Sequence, residues 1–364
     1  MSVSLDEHRL GGLRWIVLRG PDREAYWALG EHMRAELAAI AGTWPLLARL
    51  HEHVSRSPGR DQLARVRRAS AGSFPAVWAE LSAFAAGAGL PLEELALLNV
   101  RGDLGQVAGG VGCSDLAWRR ERSVIAHNED GVPANAGQCA LLTLILDGLP
   151  AVTAFWYPGF LPSNAFTVTG DGLVWSIDHL PVAEPGGGAG RHVVARGLQR
   201  SARTLDDAVR YLREHPCAGG FAYTIGDPAG RIVSVETVAG GFALAEAEPG
   251  SAPLLWHTNH GRYLPGAGPP DDRTSAARGR LLEALPIPAA EPGPEWFLRI
   301  LAWTPLPDGV RGDPGPGQLT TLCTLVADLT AGHAVIAVRD GDPVAIPLAD
   351  LARGVPERSR RVQF

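Results

Sequence analysis

A glycine followed by a cysteine, Gly112-Cys113, is the pair of residues in this sequence with the clearest capacity for chemistry. If the peptide bond between them is cut, Cys113 becomes an N-terminal residue that carries both a thiol and a free amine. Such an amine titrates near pH ~7.7–8.0 and a thiol near ~8.5, so the two groups can exchange a proton at neutral pH. The pair therefore predicts a cysteine nucleophile that needs no histidine.

Gly112 is suited to the cleavage because it has no Cβ atom and can adopt strained backbone angles. The Cys113 thiolate can then approach the preceding carbonyl and form a thioester by an N-to-S acyl shift. A thioester is hydrolysed far more readily than an amide. An isolated buried cysteine is more commonly an inert core residue, so the interpretation depends on the residues around it.

A second polar segment, His127-Asn128-Glu129-Asp130, follows Cys113 along the chain. If residues 119–122 form a hairpin turn, the strand that ends in this segment lies beside the Cys113 strand, and Asp130 lies near the Cys113 amine. Taken alone, Asp130 is equally consistent with a turn residue. His127 can act as an additional proton carrier, although a packed histidine on a strand is the commoner outcome.

The elements that must position these residues follow from the hydrophobic pattern. Helical spacing dominates the first third of the chain and ends before residue 111, after which short apolar runs separated by Gly, Pro, Asp and Asn predict antiparallel strands. The nucleophile thus lies at a junction between helix and strand. The alternation of strands and helices predicts two packed antiparallel sheets with helices outside. Helices are predicted over 23–40, 62–86, 193–200, 204–212 and 275–285, and strands over 123–127, 140–146, 152–157, 166–169, 173–177, 221–225, 232–236, 242–245, 320–328 and 333–339.

Composition excludes several classes of function. The chain has 364 residues, 46% of them hydrophobic, which is enough for a large core. Its formal charge of −6, from 33 basic and 39 acidic residues, provides no broad basic surface, so nucleic acid and membrane partners are not expected. The high content of Ala, Gly, Arg and Pro, with no Lys, indicates a GC-rich bacterial genome.

The cysteines and the N-terminus favour a cytoplasmic location. Cys113, Cys139, Cys217 and Cys323 have neither the density of a disulfide framework nor the spacing of a zinc site. The first residues lack the apolar core of a signal peptide, and no run reaches membrane-spanning length. The triplet 51–53, His-Glu-His, lacks the i, i+4 spacing of two ligands on one helix face, so no metal site is predicted.

Four aromatic residues lie on or near the predicted strands that follow the nucleophile. They are expected to belong to the core and to the wall of a cavity, and close to Cys113 they can line an apolar acyl pocket. These residues are Trp156, Tyr157, Phe160 and Trp175.

Taken in order along the chain, these motifs resemble the isopenicillin N acyltransferase family (acyl-CoA:6-aminopenicillanic acid acyltransferase), which comprises cysteine members of the N-terminal nucleophile hydrolases. The resemblance runs from the first helix to the last strand. It rests on Gly112-Cys113, Asn128-Glu129-Asp130, Arg196-Gly197-Leu198, Asp206-Asp207-Ala208, the strands from Tyr223 to Glu236, His257-Thr258-Asn259-His260, Ser275-Ala276-Ala277-Arg278, and residues 321–328.

The resemblance implies a role for three residues. Asn259 would donate its amide to the oxyanion of a tetrahedral intermediate, Asp130 would bind and orient the Cys113 amine, and Arg278 would keep the surroundings of the thiol positive. The alternatives are that Asn259 caps a turn and that Arg278 is an ordinary solvated arginine at the start of a helix, with Arg273 or Arg262 in its place.

Two positions depart from the family pattern. Bile-salt hydrolase relatives carry an arginine where this chain has His127, and many relatives carry an asparagine near the position of Thr169. The second oxyanion donor is therefore not assigned. Asn128 and His260 accompany the motifs as supporting residues.

The fold implied by the resemblance is a four-layer αββα N-terminal nucleophile hydrolase fold, of α+β class, made as a precursor that cleaves itself before Cys113. A helical α chain, 1–112, and a β chain, 113–364, would stay associated as one integrated domain. The implied activity is amide hydrolysis on a small-molecule acyl substrate through a Cys113 acyl-enzyme, with no cofactor. The alternatives are transfer of an acyl group from a CoA thioester to a small amine, and a cleavage-deficient member that serves as a binding or scaffold protein.

Overall fold

Two β-sheets lie face to face in a computed structural model of the chain, and helices cover the outer face of each. The structure describes residues 2–43, 45–105, 112–182, 184–264, 273–313, 319–339 and 341–364. The predicted α+β class and the αββα order of layers are both confirmed. The strands are β1 (Ser4–Leu10), β2 (Leu13–Gly20), β3 (Gly112–Arg119), β4 (Ser123–Gly131), β5 (Ala140–Leu146), β6 (Val152–Trp156), β7 (Ala165–Thr169), β8 (Val174–His179), β9 (Gly220–Gly226), β10 (Ile232–Val238), β11 (Gly241–Glu246), β12 (Leu254–His257), β13 (Thr320–Asp328), β14 (His333–Val338), β15 (Val344–Pro347) and β16 (Arg360–Arg361).

The helices pack in two groups, one on each outer face. In the first, α1 contacts β2 and α8 contacts β10, while α5 packs on α1 and α7. In the second, α9 contacts β3 and β12, and α10 contacts β13. The helices are α1 (Asp22–His32), α2 (Arg34–Thr43), α3 (Pro45–Val54), α4 (Gly59–Ser73), α5 (Pro75–Ala88), α6 (Leu92–Asn99), α7 (Arg191–Ser201), α8 (Leu205–Glu214), α9 (Arg273–Glu283), α10 (Pro294–Leu298) and α11 (Leu348–Arg353).

The larger sheet has the order β1-β2-β5-β6-β7-β8-β9-β10-β11. Its neighbours are antiparallel except β2 and β5, which are parallel. The edge strand β1 is mostly exposed and carries charged residues, which discourages pairing with another chain. The inner strands are buried on both faces because the second sheet covers one face and helices cover the other.

The smaller sheet has the order β12-β3-β4-β13-β14-β15-β16 and is antiparallel throughout. The predicted β3–β4 hairpin is present, but its turn is one residue shorter than the predicted 119–122, since Arg119 pairs with Ser123. The register places Gly112 opposite Asp130 and Cys113 opposite Glu129. Because side chains alternate between the two faces of a strand, Cys113 points toward the larger sheet while Ser114 points toward the helices outside.

The hairpin β1–β2 was not identified from the sequence, in which the first third reads as helical. A signal was present, since the two glycines Gly11-Gly12 separate two short runs of strand-forming residues. Both glycines have positive φ angles, 55° and 92°. The segment 1–112 therefore contributes two strands to the larger sheet in addition to helices.

The packing of α1 on α5 depends on two glycines at the point of contact. A Cβ atom on Gly30 would lie 2.2 Å from the carbonyl oxygen of Phe84, and one on Gly87 would lie 1.9 Å from that of Trp27. No side chain fits in that space. The region predicted as one helix over 62–86 is in fact two helices, since Pro75 follows Phe74, whose φ of −129° and ψ of 57° are not helical.

Candidate active site

Cys113 lies near the start of β3, points between the sheets and is only 2% exposed. It lines a cavity of about 280 Å³ together with residues from both sheets and from the segment before the glycine-cysteine pair. A mainly apolar cavity with a few polar groups around one nucleophile is the usual form of a small-molecule site. The cavity is therefore the candidate active site.

The main chain of Cys113 is held by two residues of the motifs recognised in the sequence. Its N–H donates to Oδ1 of Asn259 at 3.0 Å, and its carbonyl oxygen accepts from Nη1 of Arg278. Arg278 also donates to Asn259 Oδ1 at 2.7 Å and to Ser114 Oγ at 2.8 Å. Three residues far apart in the sequence thus form one buried hydrogen-bonded unit.

The amide of Asn259 is engaged elsewhere in this uncut chain. Its Nδ2 donates to the carbonyl oxygen of His179 at 3.1 Å, and its backbone N–H donates to Oγ of Ser275 at 2.9 Å. His260 Nδ1 lies 2.8 Å from the same Ser275 oxygen. His260 therefore supports the turn that presents Asn259, while the oxyanion role of the Asn259 amide stays a prediction.

Asp130 lies opposite Gly112 in the strand pairing and lines the same cavity as Cys113, while its contact with the Cys113 amine stays a prediction. Its Oδ1 accepts a hydrogen bond from Thr321 Oγ1 at 2.6 Å. Burial raises the pKa of Asp130 to about 6, against the opposing charge of Arg278. A Cβ atom on Gly112 would lie 3.2 Å from that of Asp130 and 2.9 Å from Cδ1 of Leu319, so the site favours glycine before the cysteine.

Asn128 faces away from the nucleophile. It donates to the carbonyl oxygen of Leu301 at 2.5 Å and accepts from Thr324 Oγ1 at 2.6 Å. Its contacts join β4 to its neighbouring strand and to the helical turn Arg299–Trp303. Asn128 therefore supports the sheet that carries the site.

Glu129 is the functional residue that the sequence analysis missed. One carboxylate oxygen lies 3.3 Å from the Cys113 sulfur, and the other accepts from the Tyr157 hydroxyl at 2.6 Å. In the sequence, Glu129 is recognised only as the middle residue of the motif Asn128-Glu129-Asp130. A turn over residues 119–122 would place Asn128 opposite Cys113. The observed pairing of Arg119 with Ser123 shifts the register by one residue and places Glu129 there instead.

A chain of buried polar groups continues from Glu129 through His127. His127 Nε2 lies 3.3 Å from Glu129 Oε2, and its Nδ1 lies 2.7 Å from Asp115 Oδ1. Ser176 on the opposite sheet donates to the second Asp115 oxygen at 2.8 Å. His127 thus connects Glu129, which lies beside the sulfur, to the carboxylate of Asp115, so it is more than a packed residue on a strand.

The protonation states along this chain follow from its contacts. Burial opposes charge on His127, but the hydrogen bonds to Asp115 and Glu129 and the negative charges of Asp115 and Asp178 outweigh it and raise the pKa of His127 to about 10. Burial, followed by the negative charges of Glu129, Asp178 and Asp130, raises the pKa of the Cys113 thiol well above its usual value. In the uncut chain the imidazole is therefore charged and the thiol is protonated. The positive surroundings expected from Arg278 do not dominate at the sulfur.

Two of the four predicted pocket residues line the cavity. Tyr157 and Phe160 do so, with ring centroids 5.8 Å apart. Trp156 alternates to the other face of its strand, where it packs on Phe84 of α5, and Trp175 is buried under α7 and α8. The prediction that these two tryptophans line the pocket is therefore corrected.

Thr169 lies at the turn between β7 and β8. Its hydroxyl accepts from the backbone N–H of Leu173 at 3.0 Å. This hydrogen bond stabilises the turn. Thr169 is not among the described residues that line the cavity of Cys113.

Two groups of side chains have the composition of a metal site. In one group the ligand atoms of Cys113, His127 and Glu129 lie within 4.8 Å of one another, and the second group joins His127 to Asp115 and Asp178. Both groups depend on His127 as a ligand. Because its two ring nitrogens contact carboxylates and its pKa is raised to about 10, a proton competes strongly with a metal ion there.

Comparison with known proteins gives one informative match. The family model described as "Acyl-coenzyme A:6-aminopenicillanic acid acyl-transferase" matches residues 118–276, which confirms the resemblance found in the sequence over that segment. The match includes the Asp130 and Asn259 motifs and begins after Cys113. A search of curated proteins finds no match.

Solved structures give only distant likenesses. A variant of conjugated bile acid hydrolase from Clostridium perfringens has a TM-score of 0.40 and 11% identity, covering 69% of this chain and 97% of that chain. Penicillin V acylase from Agrobacterium tumefaciens has a TM-score of 0.35 and 12% identity, covering 69% of this chain and 98% of that chain. These values are too low to carry an argument about function.

No described helix is both long enough and apolar enough to cross a membrane.

Proposed function

We propose that the protein is a self-activating N-terminal nucleophile hydrolase that cleaves amide C–N bonds of small acyl compounds through a thioester on Cys113. One observation carries the proposal: a buried cysteine lines a mainly apolar cavity, with its main chain held by Asn259 and Arg278 and its sulfur against Glu129. The family match supports it independently.

Self-cleavage needs a base other than the Cys113 nitrogen, because in the uncut chain that nitrogen is an amide. Glu129 is placed to accept the thiol proton. The sulfur then attacks the carbonyl carbon of Gly112, the C–N bond breaks, and the proton passes to the departing nitrogen, which becomes the amine of Cys113. Water hydrolyses the thioester, leaving a carboxylate on Gly112 and a free thiol on Cys113.

Turnover then uses the new amine. The amine takes the thiol proton, the sulfur attacks the acyl carbon of the substrate, and the proton passes to the leaving amine. Asn259 would turn its amide from His179 to the oxyanion, where one such donor is typically worth about 10²–10³ in rate. Water then releases the acid.

The two fragments would remain together after cleavage. The hairpin β1–β2 precedes the cut and pairs with β5, which follows it. Side chains of α1 and α5 share one buried cluster with those of β5 and β6. Extensive burial of this kind favours a stable complex without a covalent link.

Acyl transfer is the second candidate activity, favoured by the description of the matching family model. In that case a small amine replaces water as acceptor and the acyl donor is a CoA thioester. The site proposed here serves both reactions, since both pass through a thioester on Cys113 and differ in the acyl donor and in the group that attacks the thioester. Four buried free cysteines support action in a reducing compartment such as a bacterial cytoplasm.

Intact-mass measurement of the purified protein tests the proposal. The wild-type chain is expected to give two fragments that divide between Gly112 and Cys113, and Cys113→Ala is expected to give one uncut species without amidase activity. A folded wild-type protein that stays uncut and whose Cys113 resists alkylation would overturn the proposal and favour a scaffold role.

A further inference from the structure

Two buried arginines line the same cavity as Cys113. Arg101 is 8% exposed and its guanidinium lies 3.9 Å from the ring centre of Phe160. Arg191 is 1% exposed and lies 4.4 Å from the ring centre of Phe221. Stacking of guanidinium on aromatic faces orients both cations but does not neutralise them.

The hydrogen-bond partners of both side chains are neutral. Arg101 Nη1 donates to the Leu98 carbonyl at 3.1 Å and lies 2.9 Å from Nε2 of His192. Arg191 Nη1 donates to the Gly220 carbonyl at 3.1 Å and contacts Nδ1 of His179. Burial, together with the charges of the two arginines, lowers the pKa of both histidines well below the usual value.

Asp103 is the acidic residue beside Arg191, but it binds the backbone rather than the guanidinium. Its Oδ1 accepts the N–H groups of Arg191 at 3.0 Å and Gly219 at 2.7 Å. Among the described residues neither guanidinium makes an ion pair, and Nε of Arg191 is buried without a partner. Asp103 offsets one of the two positive charges, so one charge is left over in the cavity wall.

The acidic residues at the other end of the cavity are already used. Glu129 is bonded to Tyr157 and lies against His127 and the Cys113 sulfur, and Asp130 is bonded to Thr321. They do not neutralise the arginines by contact. An unpaired buried charge is costly, so the one positive charge that Asp103 does not offset indicates that an anion completes the site.

The backbone is shaped to hold Arg191 in place. A Cβ atom on Gly102 would lie 2.0 Å from Cζ of Arg191, so only glycine lets the guanidinium lie flat against the chain beside Arg101. The two guanidinium groups lie over the faces of Phe160 and Phe221.

We infer that Arg101 and Arg191 form a carboxylate-binding subsite, so that the acyl compound processed at Cys113 carries a carboxylate as well as the scissile amide. The inference rests on the proposed function. A planar carboxylate matches the guanidinium fork, and its single charge matches the one left by Asp103. The rings of Tyr157 and Phe160 would contact the apolar part between the two groups. The carboxylate belongs either to the acyl part or to the amine part of the substrate.

Protection of Cys113 from alkylation tests the subsite. The matured wild-type protein is treated with iodoacetamide, and labelling is followed by mass spectrometry in the presence of adipic acid monoamide, N-hexanoylglycine or the neutral hexanamide. Charged hydrogen bonds of this kind are worth about 1.5–3 kcal/mol, so one carboxylate probe should protect at about tenfold or more lower concentration than hexanamide. Protection by the monoamide places the carboxylate on the acyl part, and protection by the glycine conjugate places it on the amine part.

Arginine variants localise the effect. Arg101→Met and Arg191→Met should each lose the preference for the carboxylate probe while hexanamide protects as before. Arg49→Met removes an exposed charge at the same cavity and should keep the preference.

Equal protection by all three probes in wild type, or full preference in both buried-arginine variants, would refute the subsite. The wild-type comparison decides alone if the variants do not fold. A chain that neither matures nor labels at Cys113 overturns the proposed function and the subsite with it, whereas normal maturation without preference overturns the subsite alone.

Discussion

Two buried histidines of this protein have almost the same surroundings, yet only one lies beside the nucleophile. His127 lies between Asp115 at 2.7 Å and Glu129 at 3.3 Å. His257 lies between Asp178 at 3.1 Å and Glu236 at 2.9 Å. In both cases the carboxylates outweigh burial and raise the pKa, to about 10 for His127 and about 9 for His257.

The two sites differ in the groups that the glutamate contacts. Glu236 accepts backbone N–H groups of Arg262, Tyr263 and Leu264, which ties down the loop after Asn259. Glu129 instead lies against the Cys113 sulfur. The same carboxylate–imidazole–carboxylate chemistry is therefore structural where backbone donors occupy the glutamate, and reactive where a thiol takes their place.

Substitution of Glu129 should have the largest effect. Glu129→Gln keeps the shape but removes the proton acceptor, and loss of a general base typically costs about 10²–10⁴ in rate. We expect self-cleavage to slow by that order, measured as the cut fraction over time after cell-free synthesis. Glu236→Gln is the matched control and should cleave within a few-fold of wild type. Equal cleavage by the two variants would contradict the assignment.

Substitution of Glu236 should instead lower the stability of the folded protein. Glu236→Gln replaces a buried carboxylate that accepts several backbone N–H groups and binds a charged His257. Loss of such a charged acceptor typically costs about 1–3 kcal/mol. We expect a lower urea midpoint at neutral pH for Glu236→Gln, with self-cleavage retained. A variant as stable as wild type would show that the loop is held by other contacts.

Part of the candidate site could be predicted from the sequence. The Gly-Cys pair and the Asn259 and Arg278 motifs are local patterns, and they lead to residues that meet in the structure. The predicted hairpin correctly pairs β3 with β4, but the position of Glu129 beside Cys113 was not predicted. Trp156 and Trp175 were placed by their proximity along the chain, and both side chains point away from the cavity.

The arginines of the cavity illustrate what sequence patterns cannot show. Arg101 precedes the nucleophile and Arg191 begins α7, and no spacing relates them. A third buried arginine, Arg196, looks no different in sequence, yet it is paired with Glu80 at 2.8 Å. Only tertiary packing distinguishes a charge that has a partner from one that does not.

The raised histidine pKa values predict how stability depends on pH. Both folded-state values, about 10 and about 9, exceed the ordinary value of 6.5, so the folded protein binds these protons more tightly. The resulting stability is fully present below pH ~6.5 and is lost as the pH rises through about 9–10. Urea midpoints measured from pH 6 to pH 10 should fall across this range.

The two clusters should contribute to that fall separately. Glu236→Gln should flatten the lower part of the curve and Glu129→Gln the upper part, since each weakens the charge that holds one proton. A urea midpoint that is constant or rises from pH 7 to pH 10 in the wild-type protein would show that the two imidazoles are neutral in the folded state.

The smallest expected effect concerns Tyr157, which contacts Glu129. Tyr157 donates to the Glu129 oxygen that does not face the sulfur. This hydrogen bond fixes the orientation of the carboxylate, and its loss leaves the oxygen that faces the sulfur in the same group. Tyr157→Phe should therefore reduce the self-cleavage rate by only about 2- to 10-fold, as expected for the loss of one hydrogen bond worth about 0.5–1.5 kcal/mol. The cut fraction over time after cell-free synthesis measures this rate. A rate reduced 100-fold would mean that Tyr157 takes part in proton transfer itself, and Glu129 would then share the role assigned to it here.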